Sequence, residues 1–396
     1  MTTGEQHPLF GLRVLDLSRV LAGPYVGRML TDLGADVVKV EPPEGDVTRK
    51  WGRHKAGLSG YYTQQNVGKR NICVDLRAQG GPELIQKLAT RADALIENFR
   101  PGVMEQYGLS WPSLSALNPR LCMLSISGFG QTGPEARRPA YASVVQAESG
   151  VVHRQAALTG QPPADPRISI ADMNAALHGL VGLLSALLMR ARTGHGQHID
   201  ISMLESMLAT DDYTHLALDN VPEDAGVVTN EVWDVVGGPI VLAGDFRWVW
   251  QCLQSAHDLK DTTPEGASIP VKAKHRHDVI AAFLATFTDR AALLATLERS
   301  GLAFGEIKDT KTALRSATLQ ARGAIVQIDD RAGGSRAVLQ SPYRFSDADS
   351  GVRSVAPYRG EHNREVLRDW LALRDEDLDL LRSQGTLLEE PPYVKR

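Results

Sequence analysis

The sequence predicts an α/β protein: a doubly wound, Rossmann-like large domain and a smaller α+β domain. Three observations predict it. Short apolar runs alternate with helical patterns through the first half of the chain. Strand, helix and strand fall within about 30 residues at the start, a βαβ unit that implies parallel strands. The texture then changes near residue 220, where strands are followed by a block of helices before strand-like runs return.

Taken in order, LRVLDL (12–17) reads as a buried strand and YVGRMLTDL (25–33) as a helix that stops at Gly34. ADVVKVE (35–41) is a second strand. Strand, helix and strand within about 30 residues form a βαβ unit with a right-handed crossover. The pattern repeats with NICVDL (71–76), the helix PELIQKLATRA (82–92) and the strand DALIENF (93–99). SWPSLSALNP (110–119) is a short helical connection to the strand LCMLSISGFG (121–130). GPEARRPAY and TGQPPADP (159–166) are loops. MNAALHGLVGLLSALLMRAR (173–192) is a long apolar helix, buried in the domain or in a subunit interface. Asp172 is placed as its N-cap, and Arg190 and Arg192 complement the C-terminal end of its dipole. GQHIDISMLESMLA (196–209) gives a strand and a helix. Strands AIVQIDD and RAVLQSPYRF (324–345) and two short helices (361–385) complete the chain.

Composition narrows the function. The chain has 396 residues, 43% hydrophobic and 23% charged, with a net charge of −4. That balance offers no basic patch for nucleic acid. No run of 18 apolar residues suggests a membrane span, and MTTGEQHPLFGLRVLDL is not a secretory signal. Cys73, Cys122 and Cys252 are scattered and form no metal-binding pattern. They read as buried, reduced thiols of a cytoplasmic protein. LAGPYVG lacks the glycine spacing of a dinucleotide site, and no phosphate-loop, HExxH or GxSxG motif is present. His153, His178, His198 and the DDYTH stretch (Asp211, Asp212, His215) carry no assigned chemistry. From the residues alone, Asp172 is either a helix cap or a carboxylate held for chemistry, and the reaction stays open.

Several stretches together resemble one family, the class III CoA-transferases. That group includes formyl-CoA and carnitine CoA-transferases and the α-methylacyl-CoA racemases. The stretches are VLDLSRVLAGPYVGRMLTDLGADVVKVEPPEGDVTR, NVGKRNICVDLR, ADALIENFRPGVMEQYGL, SISGFGQTGP, QAESG and DMNAALHGLVGLLSALLMRARTGHGQHIDISMLE, with EHNREVL a weaker match near the C-terminus. The main matches run in order over residues 8–210.

The resemblance implies that Asp172 is a nucleophile working through a mixed anhydride and an aspartyl-CoA thioester. Val20, Leu21, Ala22, Gly23, Asn98 and Phe99 are implied to lie along CoA, with Tyr141 beside it. Arg77, and as further candidates Lys69 and Arg70, are implied near its phosphates. GFG (128–130) and GG (237–238) are candidates for oxyanion stabilisation. Coenzyme A enters as the acyl-CoA substrate, with a carboxylic acid as the second substrate and no metal.

Three positions depart from the pattern: Gln106 stands where a basic residue is common, and Ala140 and Ala142 replace Gly and Asp. Tyr141 stands where the racemases carry histidine. Racemisation needs an acid/base group on each side of the α-carbon, so this favours transfer. The alternatives are an α-methylacyl-CoA racemase or epimerase and a non-catalytic CoA-binding subunit. By the same analogy, residues 1–220 and 324–396 form the large domain and 221–323 the small one, in an interlocked, ring-like homodimer with active sites between the two chains.

Overall fold

The computed structural model describes residues 6–221 and 231–390. The first five residues of the N-terminal segment read for a signal, and the stretch just after the expected boundary at 220, lie outside them. The chain forms two compact units, Met1–His215 with Gln320–Arg396, and Leu216–Leu319.

The larger unit is built on a six-stranded sheet of β1 (Arg13–Asp16), β2 (Asp36–Glu41), β3 (Arg70–Cys73), β4 (Ala94–Glu97), β5 (Cys122–Ser127) and β6 (His198–Ser202). Every pairing is parallel, in the order β3-β2-β1-β4-β5-β6. The chain therefore winds outward from β1 in one direction, returns, and winds outward from β4 in the other. That reversal leaves a crevice at the carboxyl ends of β1 and β4, where doubly wound proteins bind ligands.

Both faces of the sheet are buried, which explains the unbroken apolar runs. Val14, Val37, Ile96, Leu124 and Ile126 pack on α1 (Ala22–Asp32) and the long helix. Leu15, Val38, Ile72, Leu95 and Met123 pack on the opposite side with α2 (Gly81–Ala89), α3 (Trp111–Leu117) and the C-terminal helices Asn363–Leu371 and Asp375–Ser383. α4 (Ala142–Glu148) leads towards the long helix α5 (Ile170–Thr193), and α6 (Met203–Thr210) follows β6.

α5 begins three residues earlier than its sequence pattern indicates. Ser169 is the N-cap, and Asp172 lies inside the first turn. The correction has a physical basis: Ala171 is fully buried, so the helix gains packing by starting before the aspartate. Gly194 ends it with φ of 78°, and Arg190 pairs with Asp93 at 2.9 Å. By length and composition α5 could cross a bilayer, with a mean hydropathy of 1.4. One face, including Ala175, Gly179 and Leu183, is instead packed in the core. Leu177, Val181 and Leu188 on another face are exposed.

The smaller unit has its own sheet, with Ile240–Ala243 between Glu231–Trp233 and Ala303–Glu306, both antiparallel to it. Trp233, Ile240, Trp250, Leu253, Ile280, Leu284 and Leu297 form its core with helices Phe246–His257, Ile269–Ala285 and Arg290–Arg299.

Candidate active site

The loops at the carboxyl edge of the large sheet enclose a cavity of about 1120 Å³. Its wall brings together Val20, Leu21, Ala22, Asn98, Phe99, Tyr141 and Asp172. The switch in strand order places the first five side by side, since they follow β1 and β4.

The loop after β1 is clamped from several directions. Asp16 accepts a hydrogen bond from the Ser18 N–H at 3.0 Å, and Lys39 donates to the Ser18 carbonyl at 2.8 Å. Asn98 binds both main-chain groups of Arg19: Oδ1 accepts from its N–H at 2.7 Å and Nδ2 donates to its carbonyl at 2.8 Å. Asp46 accepts from the Val20 N–H at 3.2 Å. Val20 has φ of 71°, a left-handed conformation that is rare for a β-branched residue. Such strain persists where the surroundings over-determine it, and these bonds do so. Gly23 is buried rather than on the wall. A Cβ there would meet the Ser18 Cβ at 2.2 Å, so its role in the fold is to let α1 pass over that loop.

Asp172 stands at the N-terminal turn of α5, facing Ala22 at the start of α1. Burial pushes its carboxyl up to about 6, while the Ala22 N–H favours the ionised form and pulls the other way. Tyr61 also lines the cavity. Burial, and then the Asp172 and Asp46 carboxylates, push its hydroxyl up to about 12. Beneath Phe99, Glu97 accepts that residue's N–H at 2.8 Å, and burial pushes its carboxyl up to about 7.

The basic candidates divide. Arg77 is exposed, is not on the cavity wall, and pairs with Asp75 and Glu44 at 2.9 and 2.8 Å. Lys69 is neither on the surface nor at the cavity: its ammonium is fully buried and bound by Asp16, the Pro24 carbonyl and Asn66. Arg70 is taken up by Asp36, Glu365 and Asp369. The cations facing the cavity are instead Arg19, Lys50, Arg100, Arg138 and Arg167, none of which the motifs single out. Arg138 pairs with Glu135 and Glu148. The other four have no carboxylate partner among the described residues, although Arg19 lies over the Phe99 ring at 5.0 Å. They come from separate segments of the chain, so no local pattern announces them.

Of the glycine pairs, Gly128 is on the wall, and its Cα lies so close to Ala140 that an added Cβ would approach the alanine Cβ to 2.3 Å. Gly237 and Gly238 belong to the smaller unit, where Arg290 donates to the Gly238 carbonyl at 2.8 Å. Asp211 pairs with Arg154, and His198 is bonded to Ser125 and stacked on Trp111. Among the described residues no group of three or more His, Cys, Asp or Glu side chains is arranged to hold a metal.

The sequence pattern of CoA-transferase family III matches residues 9–363. The chain belongs to this family. It is 34% identical to the succinyl-CoA–D-citramalate CoA-transferase of Chloroflexus aurantiacus, over 96% of this chain and 98% of that one. It is also 34% identical to the succinate–glutarate CoA-transferase of Agrobacterium fabrum, over 91% and 95%. The crystal structure of a CAIB/BAIF family protein from Brucella suis is similar at a TM-score of 0.77 and 35% identity, covering 92% of this chain and all of that one. This family III member is thus a CoA-transferase, a class of enzyme that uses CoA thioesters.

Proposed function

We propose that the protein moves CoA from a dicarboxylic acyl-CoA donor to a second carboxylic acid, with Asp172 as the covalent nucleophile. The observation that carries the reading is the placement of Asp172. It lies on the wall of the switch-point cavity, between the N-terminal ends of α5 and α1, beside the loops expected to hold CoA.

The steps balance without any outside reagent. The Asp172 carboxylate attacks the thioester carbonyl of the donor, forming a mixed anhydride and releasing CoA thiolate. The thiolate attacks the aspartyl carbonyl, giving an aspartyl-CoA thioester and releasing the donor acid as its carboxylate. The acceptor carboxylate then attacks this thioester, and thiolate attack on the new acyl carbonyl regenerates Asp172. Each intermediate is an activated acyl group, so the thioester energy is retained. Confinement replaces bimolecular encounters, the main gain available to a weak nucleophile. The two helix ends favour the carboxylate, and the Ala22 N–H is placed to do the same. Val20, Leu21, Ala22, Asn98, Phe99 and Tyr141 line the CoA path. Gly23 supports it from below, and Arg77 stands outside the wall, tied to the lining residue Glu44.

The four cations without carboxylate partners among the described residues support the substrate class. CoA phosphates call for some of them, and the second carboxylate of a dicarboxylic acid calls for another. The named relatives act on citramalate, succinate and glutarate, all of which carry two carboxylates. A cytoplasmic homodimer completes the reading. The exposed Leu177, Val181 and Leu188 of α5 and the three free thiols are consistent with it.

The test is to incubate the protein with succinyl-CoA and a panel of mono- and dicarboxylic acids, and to identify new CoA thioesters by mass spectrometry. Thioesters of dicarboxylic acids, absent with Asp172→Ala, are the expected result. Deuterium entering the α-carbon of a 2-methylacyl-CoA with no new thioester would overturn it in favour of a racemase.

A further inference from the structure

We propose that Gln146 is a positioning residue that fixes the first turn of α5 and so aims Asp172. The inference rests on Asp172 being the nucleophile.

A helix begins with four main-chain N–H groups that lack intrahelical partners. The N-cap Ser169 makes no side-chain bond to any of them. The acceptor comes from α4 instead. Gln146 Oε1 accepts from the Ile170 N–H at 2.9 Å and from the Ala171 N–H at 3.4 Å. The Ile170 N–H also faces the Ile168 carbonyl at 2.9 Å. These are the two residues immediately before Asp172. On its other side, Gln146 Nε2 donates to Asp165 Oδ1 at 3.0 Å. Donors on one side and a carboxylate on the other allow only one orientation of the amide. The side chain has no freedom to swing, because Gln146 is 1% exposed and its own carbonyl accepts from Ser149 Oγ at 3.0 Å.

The amide therefore joins three pieces of chain at the cavity wall: α4, the loop carrying Asp165, and the start of α5. Gln146, Asp165, Ser169 and Asp172 all line that wall. A plain stabilising role would be met by any local cap on Ser169. A buried amide reaching 24 residues along the chain does something more: it fixes the height and rotation of the turn that bears the nucleophile. A displacement of about 1 Å at a reacting group costs on the order of 100-fold in rate. The QAESG stretch, where Gln146 occurs, gains a reason here that its sequence does not reveal.

The test compares the parent enzyme with Gln146→Met, which keeps the length and loses both polar atoms. Hydrogen exchange of the amides in 168–176 should quicken by about tenfold or more in the variant, whatever its turnover. With succinyl-CoA as donor and glutarate as acceptor, kcat should fall by about 100-fold while KM for succinyl-CoA stays within about twofold. The paired change Gln146→Glu with Asp165→Asn reverses donor and acceptor in the bond between the two side chains and keeps an oxygen for the Ile170 N–H, and should recover kcat to within about tenfold of the parent. Unchanged exchange would overturn the proposal. So would faster exchange with unchanged kcat, or a loss that the paired change does not recover. A parent enzyme that transfers no CoA would sink the Asp172 reading itself, and the exchange rates would still decide whether Gln146 holds the helix.

Discussion

Asp172→Asn should end CoA transfer and, at neutral pH, make the fold more stable. An aspartate carboxyl moved from its ordinary 3.8 to about 6 has an ionised form that is disfavoured in the folded state. The difference corresponds to about 3 kcal/mol at pH 7. Asparagine occupies the same space, keeps an oxygen for the Ala22 N–H and carries no charge to desolvate. The sign follows from proton counting. Between pH 3.8 and about 6 the folded state binds more protons at this site than the unfolded chain does, so stability falls as pH rises through that window. The variant lacks that fall. At about 2–4 °C per kcal/mol for a unit of this size, its melting midpoint should exceed the parent's by roughly 6–12 °C near neutral pH. Near pH 4, where the parent carboxyl is also uncharged, the two should converge. Differential scanning calorimetry at the two pH values reads this directly. A variant that melts no higher than the parent at neutral pH, or whose advantage is the same in acid, would refute the claim that the site holds its carboxylate at a cost.

The same group sets the activity profile with the opposite consequence. Because the ionised form attacks, kcat/KM should fall about tenfold per pH unit below about pH 6 and level off above it, as initial rates of succinyl-CoA consumption would show. Lys69→Met should leave Asp16 buried without its cation and cost about 3–5 kcal/mol in a urea titration, whereas a phosphate-binding lysine would alter KM and spare stability. Gly128→Ala should force the turn away from Ala140, cost about 1–3 kcal/mol and raise KM for the CoA thioester.

Local pattern revealed much of the fold. Strands such as Val14–Leu15 and Val37–Val38 are apolar on successive residues because both faces of the sheet are covered. The order of the strands was not legible, since pairing β1 with β4 joins residues some 80 positions apart and leaves no mark on either segment. Asp172 was marked as a candidate by the company of its neighbouring motifs, and it lies on the cavity wall. Its position within the helix was not, because aspartate is a favoured N-cap and the competing contacts of Ala171 lie in the core. Lys69 and Arg70 illustrate a further limit. A basic pair before a strand looks like a surface or phosphate feature until Asp16 and Asp36 are seen to face it. The cations that do face the cavity, and Gln146 beneath it, are assembled by the tertiary structure from segments far apart.

The central claim is a covalent intermediate on one carboxylate. The most direct measurement is to mix the protein with succinyl-CoA without an acceptor acid, quench in acid, digest, and read the peptide containing Asp172 by mass spectrometry. The account predicts a succinyl anhydride or a CoA thioester on Asp172, discharged when a dicarboxylic acid is added before the quench. An enzyme that transfers CoA while that peptide stays unmodified, or that carries its adduct elsewhere, would contradict it.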